Sequence, residues 1–193
     1  MEYFDSEREN LELREKRLST EEIFDGRILH VIKDRVLLPD GKEASREVVR
    51  HIGAVAVIPV DIDGCAVVER QFRYPINQVI TEIPAGKLDY KGEDHLEAAK
   101  RELMEETGYT GDVWTELGLF YPAAAYTDEK IMIYMAQGLH AGARKLDEDE
   151  FLNVESMDLD EFADRIISGE IRDSKTQAAV LKVWAMKIKG DLQ

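Results

Sequence analysis

The sequence predicts an α/β fold in which helices cover both faces of a mixed β-sheet, an α/β/α sandwich, with an N-terminal antiparallel β-sheet segment before it. Strand-like and helix-like segments are interspersed along the chain, and no strand–helix unit repeats. The 193 residues are 44% hydrophobic and 34% charged, which is enough apolar material for one main core. We therefore expect one principal domain with an appended segment.

The N-terminal segment is predicted to be rich in strands after a polar start. Residues 1–20 contain few aliphatic side chains, so we expect a loosely held arm or an isolated helical turn there. Residues 28–51 are predicted to form a hairpin, because apolar and β-branched runs flank a turn at Pro39-Asp40-Gly41. We divide the chain into this segment, 1–51, and a main domain, 52–193.

The main domain is predicted to alternate strands with helices. Residues 54–60 form an almost continuous apolar run, which is the pattern of a strand covered on both faces. Further strands are predicted at 65–74, 79–83, 113–119 and 131–136, and near Leu152. Helices are predicted at 94–107, 159–168 and 175–189.

The net charge, the apolar runs and the cysteine content disfavour several kinds of partner and location. The formal net charge of −15 disfavours loose binding to nucleic acid or to an anionic membrane, because both require an excess of Lys and Arg. No apolar run approaches the roughly 18 residues of a membrane span, and the start has no secretion signal. Cys65 has no second cysteine with which to form a disulfide. We expect a cytoplasmic protein with no nucleic-acid or membrane partner.

The helix at 94–107 has carboxylates along one edge. Asp94 is placed to cap it and Gly108 to end it. At about 100° per residue, Glu102, Glu105 and Glu106 fall within an arc of roughly 100° beside the apolar stripe that faces the core. The apolar stripe consists of Leu96, Ala99 and Leu103.

Two interpretations of this acidic edge are open on helix geometry alone. One is a solvated helix face held by i,i+4 ion pairs. However, Glu102 and Glu106 are like charges at i,i+4, which destabilise a helix by a few tenths of a kcal/mol unless a cation lies between them. The other interpretation is a metal site. Oxygen ligands without His or Cys suit a hard cation, Mg²⁺ or Mn²⁺, rather than zinc.

The order of residues around this helix resembles the Nudix box, the signature of the Nudix hydrolases. Glu93 is followed by seven residues and then by Arg101-Glu102, and Glu105-Glu106 stand just before Gly108. One departure is that six residues separate Gly86 from Glu93, where the family pattern has five. The extra residue changes the loop before the helix and leaves the register of the carboxylates unaltered.

The resemblance implies a Nudix-type α/β/α sandwich that hydrolyses, with a divalent metal, a diphosphate within a nucleoside diphosphate linked to another group. It assigns the metal to Glu102, Glu106 and the backbone carbonyl of Ala85, and it gives Glu105 a part in binding metal or water. It also implies that Arg101 pairs with Glu93 to hold the loop against the helix.

Outside the box, the chain resembles the branch of ADP-ribose and nucleoside-diphosphate-sugar pyrophosphatases. By position, Arg46 is similar to the arginine that stacks on the base, Arg73 to a diphosphate-binding residue and Glu129 to the residue near the distal sugar. Each has an ordinary alternative, since Arg46 and Arg73 could be solvated strand-edge residues and Glu129 could serve a turn. The resemblance also implies a homodimer, in which the partner's N-terminal sheet completes the nucleotide cleft.

The sequence leaves alternatives open for the substrate specificity and for the identity of the general base. ADP-ribose enzymes commonly have a proline followed by glycine where this chain has Ala124-Ala125, which favours a broader hydrolase of nucleoside diphosphate sugars, of the ADP-ribose and ADP-glucose type. A glutamate from the acidic loop, Glu148 or Glu150, is expected to act as general base unless the loop is only a mobile surface, in which case Glu105 is the next candidate.

Two other functions compete with this interpretation. One is a non-catalytic Nudix-like module that binds a nucleotide without cleaving it. The other is an RNA or cap pyrophosphohydrolase, which the acidic net charge disfavours.

Overall fold

The computed structural model describes residues 12–146 and 151–192. Its strands are β1 Lys16–Asp25, β2 His30–Leu37, β3 Glu43–Arg50, β4 Ala54–Pro59, β5 Cys65–Arg73, β6 Gln78–Glu82, β7 Ala85–Lys87, β8 Tyr109–Phe120, β9 Ile131–Ala141 and β10 Leu152–Asp158. Its α-helices are α1 His95–Thr107, α2 Leu159–Ile167 and α3 Ser174–Lys189. No helix in these described ranges is long and apolar enough to cross a membrane.

The chain divides into two units. The first takes in the residues up to His51 together with Ala123–Glu129, and the second takes in Ile52–Pro122 and the residues from Lys130 onward. The second unit contains the three α-helices and the strands from β4 to β10.

The first unit is a three-stranded antiparallel sheet in the order β1-β2-β3. The hairpin predicted from the turn at residues 39–41 is confirmed as β2 and β3. The loop Ala123–Glu129 is bonded to β3: the Val49 N–H donates to the Tyr126 carbonyl at 2.8 Å, and Asp128 accepts from Arg50 at 2.7 Å. This loop therefore belongs to the unit that contains the three-stranded sheet.

The prediction of a loosely held arm or helical turn over residues 1–20 is wrong for residues 16–20, which belong to β1. All ten residues of β1 are exposed, so the segment has no buried face to produce apolar alternation in the sequence. Backbone pairing with β2 makes it a strand instead. The first eleven residues lie outside the described part of the chain.

The second unit is a sandwich of the predicted α/β/α type. Its four-stranded sheet has the order β7-β4-β9-β8, and it is mixed because β4 pairs parallel with β9 and antiparallel with β7. A second, three-stranded sheet has the order β10-β5-β6. The central strand β4 is buried along its whole length, which confirms the strand predicted to be covered on both faces.

Successive side chains of β4 enter two different cores. Val55 and Val57 pack with Leu103 of α1 in one cluster. Ala56 and Ile58 pack with Phe162 of α2, Val180 of α3 and other residues in a second, larger cluster. Helix α1 thus covers one face of the sheet, and α2 and α3 cover the other.

Helix α1 begins and ends as its sequence predicts. The Asp94 side chain accepts hydrogen bonds from the backbone N–H groups of Leu96 and Glu97, both at 3.0 Å. At the other end Gly108 has φ +78°, where a side chain would be strained, and an added Cβ would lie 2.8 Å from the Gly142 carbonyl oxygen. These two ends fix the register in which α1 presents its carboxylates.

Candidate active site

The acidic edge of α1 is not a solvated face. Leu103 is fully buried beneath the helix, and burial of this stripe turns Glu102 and Glu106 inward, where their exposed fractions are 9% and 6%. The Glu105 side chain is 31% exposed. Two of the three predicted carboxylates are therefore buried, and the solvated-face interpretation is wrong for them.

Strand β7 lies directly against these carboxylates. Ala85 N–H donates to Glu106 Oε2 at 2.9 Å. A Cβ added at Gly86 would lie 2.1 Å from the carboxyl carbon of Glu102, so any larger residue at this position would displace the carboxylate. The short strand was not predicted because it has only three residues, and it pairs with β4 through Ala85 and Gly86.

Arg101 links the carboxylates to the loop before the helix. Its Nη1 donates to Glu102 at 2.8 Å and to Glu105 at 3.2 Å, and its Nη2 donates to Glu93 at 3.4 Å. Glu93 in turn accepts from the backbone N–H of Asp89 at 2.7 Å, which closes the loop. Burial by itself would lower the pKa of Arg101, but Glu102, Glu105 and Asp89 together raise it above its usual value. Arg101 therefore stays protonated.

A cavity of about 350 Å³ opens over this cluster, within the range of small-molecule sites. Its lining includes the carboxylates of Glu102, Glu105 and Glu106 and the positively charged side chains of Lys87, Arg101 and Lys145. The other lining residues are Gly86, Leu88 and Asp89. The arrangement suits a small anionic ligand that reaches the carboxylates through cations.

A second group of charges surrounds Arg73 at the end of β5. Its Nε and Nη2 donate to the two oxygens of Glu82 at 2.7 and 2.9 Å, and Lys175 donates to the same carboxylate. Burial would lower the pKa of Arg73, whereas Glu82 and the charges of Glu106 and Asp173 raise it. Glu82 thus fixes the Nε and Nη2 atoms of the Arg73 guanidinium, while 42% of the Arg73 side chain remains exposed.

Comparison with known proteins identifies the family. The NUDIX domain profile matches residues 50–178, which include β7, α1 and the acidic cluster. The chain belongs to the Nudix family. The profile of the nucleoside diphosphate sugar hydrolase N-terminal domain matches residues 15–49, which include β1, β2 and all of β3 except its last residue.

Relatives of this Nudix protein match it over most of their length. It is 41% identical over 170 residues to an ADP-ribose pyrophosphatase of Bacillus subtilis (strain 168), covering 87% of this chain and 91% of the relative. It is 45% identical over 168 residues to a methanol dehydrogenase activator of Bacillus methanolicus, covering 86% and 90%. A crystal structure of an ADP compounds hydrolase has the same fold, with a TM-score of 0.82 at 24% identity over 93% of this chain and 98% of that one.

Nudix hydrolases generally need divalent metal ions, and the donors in the second unit suit such an ion. The side chains are all carboxylates, and glycine at position 86 leaves the backbone of β7 in contact with Glu102. In the described residues, no three His, Cys, Asp or Glu side chains are already arranged around one point, and Glu102 and Glu105 are both paired with Arg101. A bound cation would compete with Arg101 for these oxygens.

The remaining predicted residues are distributed as follows. Arg46 lies on β3 of the first unit, with its side chain 45% exposed and bonded to Glu15 and to the Ser45 carbonyl. Glu129 belongs to the same unit, and its backbone N–H donates to Thr127 at 3.1 Å, as expected for a turn. Glu148 and Glu150 lie outside the described residues.

The sequence interpretation missed Glu82 and Lys175 as partners of Arg73. Both are charged residues with exposed fractions below 10%, but neither stands in an apolar pattern that would have indicated burial. Their pairing became visible only once β6 and α3 were placed together.

Proposed function

We propose that this Nudix hydrolase cleaves the diphosphate bond of nucleoside diphosphate sugars with Mg²⁺, giving a nucleoside monophosphate and a sugar phosphate. The observation that supports this best is the buried pair Glu102 and Glu106, which packs against the backbone of β7 and lines a cavity of small-molecule size. The match to a nucleoside diphosphate sugar hydrolase N-terminal domain and the ADP-ribose pyrophosphatase among the relatives support the substrate class. ADP-ribose and ADP-glucose are the expected substrates.

The acidic cluster alone would repel a diphosphate. Glu102, Glu106 and the carbonyl of Ala85 would hold Mg²⁺, and Mn²⁺ could replace it at such oxygen ligands. When bound, the ion would polarise the phosphoryl oxygens and lower the pKa of the attacking water. Arg101 would then keep Glu93 and the loop in place beside the rearranged carboxylates.

Acceptance of the proton from water needs a carboxylate that solvent can reach. Glu105 meets this requirement with 31% of its side chain exposed, and it lines the cavity. Glu148 and Glu150 are the alternative general bases from the acidic loop.

We assign the substrate's other groups to three residues. Arg73 would bind the diphosphate, because Glu82 fixes its guanidinium while part of the side chain stays exposed. Arg46 would stack on the base, and Glu129 would lie near the distal sugar.

The N-terminal segment, 1–51, would serve dimerisation and base binding, and the main domain, 52–193, would carry out hydrolysis. We propose a homodimer on this basis, in which each cleft is completed by its partner. The surface charge and the lone Cys65 favour an enzyme that acts in the cytoplasm without nucleic-acid or membrane partners.

A substrate panel tests this function. ADP-ribose, ADP-glucose, UDP-glucose and GDP-mannose are incubated with the protein and Mg²⁺, and the nucleoside monophosphate and sugar phosphate are quantified. We expect both products from the ADP-sugars and none after addition of a chelator. The double variant Glu105→Gln/Glu106→Gln is the matched control for a contaminating hydrolase.

Two other results would point elsewhere. Binding of these nucleotides with no Mg²⁺-dependent product would favour a non-catalytic binding module. Release of phosphate from 5′-triphosphorylated RNA, with the sugar nucleotides left intact, would favour the RNA pyrophosphohydrolase.

A further inference from the structure

A buried chain of alternating charges joins the start of α3 to Arg73. Arg73 bonds Glu82, Glu82 accepts from Lys175 Nζ at 2.5 Å, and Lys175 Nζ also lies 3.1 Å from Asp173 Oδ2. Glu82 is 1% exposed and Lys175 is 9% exposed. The group contains two positive and two negative side chains, so its charges balance.

The two cations share one carboxylate. Glu82 Oε2 accepts from both Arg73 Nη2 and Lys175 Nζ, whereas Glu82 Oε1 accepts from Arg73 Nε. Because Lys175 neutralises part of Glu82, the negative charge that opposes Arg73 is reduced. The bonds to Glu82 use Nε and Nη2 of Arg73, so Nη1 lies outside this pair, and 42% of the Arg73 side chain is exposed.

Lys175 is itself fixed by the start of α3. Asp173 caps this helix by accepting from Thr176 N–H at 2.9 Å and from Thr176 Oγ1 at 2.6 Å. The same Thr176 Oγ1 accepts from the backbone N–H of Ile83 at 3.0 Å, one residue after Glu82. The helix start and the end of β6 are therefore bonded at adjacent residues, which sets the distance between Lys175 and Glu82.

We propose that Lys175 is a positioning residue for diphosphate binding, which acts through Glu82 to hold Arg73 in its orientation and to preserve its positive charge toward the substrate. This rests on the proposed function, because it requires Arg73 to bind the diphosphate. Without Lys175, Glu82 would neutralise Arg73 more completely, and the cluster would become net negative beside an anionic ligand.

A double-mutant cycle on ligand affinity tests this role. The ligand is the ADP-ribose analogue in which a methylene group replaces the bridging diphosphate oxygen, so its dissociation constant can be measured by calorimetry with Mg²⁺ and without turnover. Lys175→Met removes the charge and keeps the length of the side chain. Arg73→Lys removes the two-pronged bond but leaves one cation beside the buried Glu82, which protects the double variant from an unpaired acid.

We expect Lys175→Met to raise the dissociation constant about tenfold in the wild-type background and less than about twofold in the Arg73→Lys background. With ADP-ribose as substrate, KM should rise similarly while kcat changes less than about threefold, because the carboxylates of α1 are untouched. Lys187→Met is the matched control, since it breaks an exposed ion pair of the same helix with Asp160 at 2.9 Å and should leave the affinity unchanged. Lys175→Gln, which retains an amide donor, replaces Lys175→Met if the latter does not fold.

The outcomes separate this role from the proposed function. The same increase in both backgrounds, or a loss of kcat with unchanged affinity, would refute the positioning role and leave the hydrolase intact. Failure of the wild-type protein to bind the analogue would overturn both proposals together.

Discussion

Replacement of Gly86 by alanine adds one carbon atom, which would clash with the carboxylate of Glu102 in the acidic cluster. Gly86 pairs with Val55 in the sheet, and its Cα faces the carboxylate of Glu102. An added Cβ would lie 2.1 Å from the Glu102 carboxyl carbon and 2.2 Å from each of its oxygens. Since non-bonded carbon atoms approach to about 3.5 Å, the carboxylate must move by more than about 1 Å.

This displacement should affect activity far more than stability. The clash involves the end of a flexible side chain, so rotation can relieve it at a cost of about 1 kcal/mol in the free energy of unfolding. A displacement of about 1 Å at a catalytic group lowers the rate about a hundredfold. We therefore expect Gly86→Ala to fold normally and to lose at least about a hundredfold in kcat.

The assay is Mg²⁺-dependent hydrolysis of ADP-ribose, with unfolding in urea measured in parallel. Gly111→Ala is the matched control, because its added Cβ would lie 3.2 Å from the Ala136 Cβ, a tight contact that involves no carboxylate. It should show a comparable change in stability and normal kcat. Nearly normal turnover in Gly86→Ala would refute the assignment of Glu102 to the metal.

Three further predictions concern charged groups. Glu105→Gln and Glu106→Gln should each lower kcat at least about a hundredfold with little change in the melting temperature, since an amide oxygen at position 106 could still accept from the Ala85 N–H; normal turnover in both would remove the assigned site. Arg101→Gln leaves four acids, Asp89, Glu93, Glu102 and Glu105, without their shared cation, so we expect a loss of about 1–3 kcal/mol in unfolding free energy and a larger Mg²⁺-induced rise in melting temperature than in the wild-type protein; an equal rise in both would show that Arg101 and the ion do not compete. Burial would raise the pKa of Asp128, but Arg50 and the His51 N–H lower it below its usual range, so its contribution to stability is present above about pH 4 and is lost as the pH falls through the lowered pKa. The difference in melting temperature between wild type and Asp128→Asn should accordingly be greatest near neutral pH and shrink as the pH falls through the lowered pKa, and a difference that does not vary with pH would contradict this account.

Local patterns were sufficient to predict the helix that carries the acidic cluster. Asp94 and Gly108 mark its ends, and a stripe at helical spacing marks its buried side, because all of these interactions lie within a few residues. The central strand β4 was equally clear, since a strand buried on both faces needs a continuous apolar run.

Prediction failed where a structure depends on distant partners. β1 is exposed along its whole length, and only its pairing with β2 makes it a strand. β7 is three residues long, too short for any period to show.

From the sequence alone we could predict the Nudix family and the helix edge that carries Glu102, Glu105 and Glu106, because both depend on the spacing of residues within and just before one helix. We could also predict the fold class, because the alternation of strand-like and helix-like runs is a local pattern along the chain. Only the packed structure shows that Glu102 and Glu106 are buried and that Gly86 contacts Glu102. It also shows that Lys175 bonds Glu82, a residue 93 positions earlier in the chain. Such contacts depend on how separate elements pack, and no local period records which distant side chains will share a buried space.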